Sequence, residues 1–190
     1  MTVKFSLKES VKNFAKDLEG VFKGRKYVVF LCGPTLDIAD SDAAAALRLR
    51  LKNELEGEGF EVVLGEDDGL EELRSKYSGM AHDNELQFIQ KQSNAVLLIA
   101  SSVGSFCELG LFSHQHVREN SRGTDFILVL DEKYKDHASY MNEGPAKAID
   151  NFGKLVHGDF SDFDIAPILE RLKIWRNVWA TSGKGRPPGS

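Results

Sequence analysis

Ala95-Val96-Leu97-Leu98-Ile99-Ala100 runs straight into Ser101-Ser102-Val103-Gly104-Ser105-Phe106-Cys107-Glu108-Leu109-Gly110, and the reading of this stretch decides the fold. The first six residues are apolar without alternation, the pattern of a strand covered on both faces in a parallel sheet. The rest pass through a serine- and glycine-bearing turn into a helix. In open α/β sheets, ligands bind in the crevice beyond the carboxyl ends of the strands, which such turns line. Glu108 is therefore the candidate for chemistry.

The same strand-to-helix step recurs on either side. Tyr27 to Cys32 reads as a buried strand that meets Gly33-Pro34, a loop signal, before an alanine-rich helix from about Ser41 to Glu56. Phe60 to Leu64 gives a second strand, followed by acidic Glu66-Asp67-Asp68-Gly69 and helical segments running to about Gln92. After the helix of Glu108, Phe126 to Leu130 supplies a fourth strand. A helix is expected near Pro145 to Asn151, its proline suiting a first turn, then a short strand at Leu155 to His157 and a closing helix over Ile165 to Trp179. Alternation of this kind predicts a single doubly wound, mainly parallel α/β sheet, Rossmann-like or flavodoxin-like, with helices on both faces.

That domain is expected over residues 25–180. Before it, residues 1–24 carry Phe5, Leu7, Val11, Phe14, Leu18, Val21 and Phe22 at helical spacing, an amphipathic helix whose apolar stripe needs cover from its own domain or a partner. After it, residues 181–190, rich in Gly, Pro and Ser, are expected to be a disordered tail.

The 190 residues are 42% hydrophobic and 28% charged, the balance of one globular domain rather than a disordered chain. With a net charge of −5 and both signs interspersed, no basic stripe exists to capture DNA or RNA, so no direct nucleic-acid binding is expected, whereas small nucleotides remain open. No secretion signal is present, and no apolar run approaches the ~20 residues that span a bilayer. A cytoplasmic protein without a membrane partner is expected. Cys32 and Cys107 lack metal-ligand spacing and read as reduced, structural thiols beside buried strands.

Parallel strands would bring Cys32-Gly33-Pro34-Thr35 and Ser101 to Ser105 to one edge of the sheet. Gly33 and Gly104 would let backbone approach a ligand, and free N–H groups of the helix after Gly104 would hold an anion. Glu108 sits among Phe106, Cys107, Leu109, Gly110, Leu111 and Phe112, surroundings in which a carboxylate costs free energy unless paired or used; a plain first-turn acid stabilised by the helix dipole is the competing reading. One buried carboxylate suits attack on, or stabilisation of, a positively charged carbon. Cleavage of an N-glycosidic bond passes through such a centre at C1′ of the ribose.

Val29-Phe30-Leu31-Cys32-Gly33-Pro34 with Gly104-Ser105-Phe106-Cys107-Glu108-Leu109-Gly110 resembles the nucleoside 2-deoxyribosyltransferase superfamily, which includes nucleotide N-glycosidases. Within it the chain is most similar to the N-terminal toxin domain of retron antiphage effectors, through these motifs together with Phe112-Ser113 and Gly144-Pro145. The resemblance covers about Tyr27 to Phe152. It implies that Glu108 is the catalytic nucleophile or electrostatic stabiliser, that a nucleotide or nicotinamide adenine dinucleotide (NAD) is cleaved to arrest infected cells, and that effectors of this kind continue into a C-terminal domain. Two positions depart from the family pattern: Asn94 stands for an aspartate before the third strand, and Leu86 for an acid two helical turns earlier, with Glu85 one place out of register and Asp83 further off.

The expected substrate-binding set is Cys32, Gly33, Pro34, Thr35, Asp83, Glu85, Ser102, Gly104, Ser105 and Phe106, with no metal and no cofactor. Loss of adenine or cytosine calls for an acid to protonate the base, for which Asp37, Asp83, Glu85 and His82 are the candidates. Nicotinamide leaves NAD as a neutral molecule and needs none, so a single evident carboxylate leans toward NAD hydrolysis. A deoxyribosyltransferase or deoxynucleotide hydrolase, a nucleotide sensor without turnover, and an assembly subunit using the N-terminal helix with Trp175 and Trp179 are the alternatives. A homo-oligomer or a complex with a defence-system partner is expected. His114 and His116, two apart, point to different faces and form no metal site; Glu66-Asp67-Asp68 reads as a solvated turn rather than a cation site. Tyr140, Asn142 and Gly144-Pro145 are placed either to close over a ligand or to cap a helix.

Overall fold

The computed structural model describes residues 26–66, 80–119 and 123–182, with positions 9, 13–14, 16–17, 20–22 and 24 before them. Five strands, β1 (Val28–Cys32), β2 (Glu61–Leu64), β3 (Ala95–Ala100), β4 (Asp125–Asp131) and β5 (Lys154–Gly158), form one sheet in the order β2-β1-β3-β4-β5, every pair parallel. This is the flavodoxin-like order, whose switch point lies between β1 and β3. Strands β1 and β3 are buried along their whole length, which is why they appear in the sequence as unbroken apolar runs.

Alternate residues of each strand serve opposite faces. Val29, Leu31, Ala95, Leu97, Ile99, Ile127 and Val129 pack on the side of helices α1 (Ala43–Gly57) and α5 (Ala166–Ser182). Phe30, Cys32, Val96, Leu98, Phe126 and Leu128 pack on the side of α2 (Ala81–Lys91), α3 (Val103–Glu119) and α4 (Lys147–Phe152). Burial of two such layers, at roughly 25 cal/mol per Å² of apolar surface, is what offsets the entropy of ordering the chain.

Some boundaries differ from the sequence reading. The helix expected to open at Pro145 is preceded by a π-helical turn, Asn142–Ala146, with Pro145 inside it. The Asn142 amide donates to the carbonyls of Tyr134 and His137, both at 2.7 Å, and this anchors the segment before the proline is reached. Helix α5 continues beyond Trp179 to Ser182, so the start of the expected tail is helical; residues 183–190 lie outside the described residues. Of the N-terminal helix, the described positions between Glu9 and Phe22 are helical and Gly24 donates to the Gly20 carbonyl, while the remaining positions lie outside the described residues. So do residues 67–79, which include Asp67, Asp68 and the first of the expected helical segments.

Asn94 sits at the amino ends of the strands, opposite the crevice. Its side-chain oxygen accepts from the Val28 N–H at 2.8 Å, its own N–H donates to the Val28 carbonyl, and its carbonyl accepts from Asp125. A buried amide that stitches β1, β3 and β4 together accounts for this residue without any part in ligand recognition.

Candidate active site

Register places the two loops together. Cys32 is paired with Leu98, so β3 runs two residues further than β1 and Gly33 comes to lie beside Ile99. Gly33 has φ +149°, and a Cβ there would stand 3.1 Å from the Ile99 carbonyl oxygen and 3.4 Å from Cδ of Arg48. Close chain packing at the switch point is therefore by itself enough to require glycine here. Pro34 is buried, whereas Thr35 is exposed and accepts from the Asp37 N–H at 3.4 Å, capping the short turn Leu36–Ile38. Asp37 is exposed with it.

The second loop also uses its own polar groups. Helix α3 starts at Val103, ahead of Gly104 rather than after it. Oγ of Ser105 accepts from the N–H groups of Ser101 and Ser102 at 2.9 and 2.8 Å, while Oγ of Ser102 accepts from Ser105 N–H at 3.2 Å and Phe106 N–H is bonded to the Ser102 carbonyl. Two serines three residues apart thus cap the helix reciprocally. The N–H groups of Ser105 and Phe106, expected to be open for an anion, are engaged. Phe106 packs edge-on against Tyr134 with ring centroids 5.5 Å apart, so it forms a wall between α3 and the loop after β4.

Glu108 projects one turn further along α3, half-buried, and its Oε2 is buried with no hydrogen-bond partner among the described residues. Burial pushes its carboxyl up to about 7; Glu85 adds to this, Arg48 opposes it, and Glu66 again raises it. The same groups act on Cys32 at the base of the crevice, whose thiol is held well above its ordinary range by burial, then by Glu108 and Glu85. Cys32 is thus a neutral floor, not a nucleophile.

Helix α2 turns Glu85 toward the crevice, with Oε1 3.1 Å from where a Cβ on Gly65 would lie. Leu86 packs into the apolar layer with Phe88 and Ile89. The residue one place out of register is thus the one whose charge reaches Glu108. Asp83 points elsewhere, exposed and 3.6 Å from the exposed His82. Glu66, at the end of β2, is bound to Arg48 through two bonds of 2.6 and 2.9 Å.

Arg48 is the site residue that motif reading passes over. It is 1% exposed and sits in the buried stripe of α1 among Ala44, Leu47, Leu51 and Leu55. That signal was present in the sequence: an arginine within an apolar helical face requires partners. Its partners are the Leu31 carbonyl at 2.8 Å, the Pro34 carbonyl at 2.9 Å and Glu66.

Elsewhere the structure separates what the sequence placed close. Cys107 is exposed on α3, not a buried structural thiol, because it falls on the solvent side of the helix between Phe106 and Glu108. His114 is exposed, while His116 is buried against Phe126 and bonded to the Phe152 carbonyl at 3.1 Å. Tyr140 is 89% exposed, and Asn142 holds the loop after β4 as described above. A cavity of about 450 Å³ opens between α2 and α3 near Phe112, His116 and Phe126, toward the amino ends of the strands and away from Glu108.

The fold and the crevice define a flavodoxin-order α/β protein with a half-buried glutamate at its switch point. The chain belongs to the STM3845 retron effector protein family, whose model matches residues 44–178 and so takes in Arg48, Glu66, Glu85 and Glu108. It is similar, at 26% identity over 183 residues, to an Escherichia coli protein named "Retron Ec86 putative ribosyltransferase/DNA-binding protein". That alignment covers 88% of this chain and 55% of the relative, so the chain spans a little over half of that protein. No solved structure matches the chain significantly.

Proposed function

We propose that this chain cleaves the N-glycosidic bond of a nucleotide as an antiphage retron effector, with Glu108 as the group that meets C1′ of the ribose. The observation that carries the reading is the buried Oε2 of Glu108, which has no hydrogen-bond partner among the described residues, at the β1/β3 switch point. In its ionised form this oxygen is placed to face developing positive charge, either by forming a glycosyl bond that water then breaks or by stabilising the oxocarbenium ion while water attacks. The word ribosyltransferase in the relative's name supports glycosyl transfer, and the motifs around Glu108 support the nucleoside 2-deoxyribosyltransferase superfamily.

The leading substrate is NAD. Three carboxyl groups, Glu66, Glu85 and Glu108, against the guanidinium of Arg48 favour a ribosyl-pyridinium, whose ring is cationic in the bound substrate and departs neutral. A second reading draws on Glu85: a second carboxyl close enough to act on Glu108 would, when protonated, serve as the acid that a purine or cytosine leaving group requires, so a deoxynucleotide substrate is the alternative. Incubation with NAD, dAMP, dCMP and nucleosides, with released base identified by chromatography, tests the choice. Consumption of a deoxynucleotide without consumption of NAD overturns the NAD assignment, and binding without release of any base replaces catalysis with sensing. The relative's DNA-binding designation belongs to that longer protein; for this chain, at net charge −5, a small nucleotide and a defence-system partner are the proposed associates.

A further inference from the structure

We propose that Arg48 is a positioning residue of this site: together with Glu66 it clamps the ends of β1 and β2 and the Cys32–Pro34 loop into the floor over which Glu108 works. The inference rests on reading Glu108 as the working carboxylate.

The geometry is that of a four-way clamp. Nη2 of Arg48 donates to the Leu31 carbonyl, the penultimate residue of β1, and to Oε2 of Glu66. Nη1 donates to the Pro34 carbonyl, in the loop that follows β1, and to Oε1 of Glu66, just past β2. The planar fork of arginine matches the two carboxylate oxygens and the two carbonyls at once, which a lysine ammonium does not. Gly33 packs between Cδ of Arg48 and Ile99, so the arginine stem also covers the loop that leaves β1 beside β3.

A clamp of this kind in an ordinary core would be weak evidence of anything, because a buried ion pair seldom stabilises more than an apolar replacement. Here its position gives it a second effect. The groups bearing on Glu108 are Glu85 from α2, Glu66 after β2, the Cys32 thiol of β1 and Arg48 from α1, and among these Arg48 is the cation. It opposes carboxylates that would otherwise hold Glu108 neutral, while Glu66 limits how far that opposition goes. Removing Arg48 or Glu66 therefore moves Glu108 in opposite directions, whereas an ion pair that does not bear on Glu108 would move it in neither.

The test is titration of the Glu108 carboxyl by carbon-detected NMR in the ligand-free protein, for the wild type, Arg48→Met and Glu66→Gln, with a pH–rate profile beside it. The midpoint is expected to rise in Arg48→Met and fall in Glu66→Gln. A rise of one unit from 7 lowers the ionised fraction at pH 7 about fivefold, and activity at that pH with it. Shifts in the same direction, or none in either folded variant, overturn the proposal. Glu66 has a side chain 47% exposed, so Glu66→Gln decides the matter if Arg48→Met does not fold: a downward shift supports the clamp, and no shift or an upward one overturns it. If the wild type releases no base from any nucleotide, the glycosidase reading fails while the ligand-free titration still judges Arg48.

Discussion

Gly33 lies against Ile99 at the switch point between β1 and β3, where a Cβ on Gly33 would stand 3.1 Å from the Ile99 carbonyl oxygen. At φ +149° the residue also occupies a region of backbone space that side-chain-bearing residues rarely enter. Gly33→Ala is expected to lower stability by about 1–3 kcal/mol, read by denaturant unfolding. Gly110, in the motif after Glu108, has nothing within 4 Å of its would-be Cβ and lies inside α3. Gly110→Ala is expected to stabilise the fold by about 0.5–1 kcal/mol, the helix-propensity difference. A destabilising Gly110→Ala would contradict this account of the helix.

Glu108→Gln keeps shape and removes charge. Glu108 is raised from an ordinary 4.5 to about 7, so below pH 4.5 it is neutral in folded and unfolded states alike and costs nothing. The cost grows as pH rises from 4.5 through 7 and is constant above. Glu108→Gln should therefore gain stability over the wild type between pH 5 and pH 8, by at most about 3 kcal/mol. Thermal unfolding at the two pH values checks this, and a gap that does not widen would mean the carboxylate is not desolvated.

The pH dependence of turnover follows from the same group. If the ionised form faces C1′, kcat/KM should climb through about pH 7 and level off above it. Glu85→Gln removes the charge that acts most on Glu108 after burial, so this limb should move to lower pH. With NAD the variant should retain turnover. With a purine deoxynucleotide, turnover should fall by about 10²-fold, because the acid is lost.

The strands were legible because burial on both faces forces continuous apolar runs, and Ala95–Ala100 matches its expected bounds residue for residue; their order β2-β1-β3-β4-β5 was not, since Rossmann-like and flavodoxin-like sheets share the same run of strands and helices. Glu108 was legible through the contrast between a carboxylate and Phe106, Leu109 and Phe112 around it. Arg48 was not read, although its place in the stripe of Leu47, Leu51 and Leu55 marks it; its partners are two carbonyls and a glutamate 18 residues away, which no local motif connects. The Ser102–Ser105 cap escaped for a different reason: a serine at a helix start reads equally as a cap or as an anion site until its hydrogen bonds are known.

Asn94 offers a check on that separation of roles. Asn94→Ala removes the acceptor of the Val28 N–H at the amino end of the sheet and should cost about 1–3 kcal/mol of stability. KM and kcat of the folded variant should stay at wild-type values. A specific rise in KM would place the residue in substrate recognition after all.

The central claim is that Glu108 breaks an N-glycosidic bond, and the most direct measurement is base release by purified wild type and Glu108→Gln side by side, with nucleotide binding measured on both. Expected are release of free base by the wild type, loss of at least about 10²-fold in Glu108→Gln, and retained binding in the variant. Equal rates in the two proteins, or a wild type that binds nucleotide and releases nothing, would contradict it.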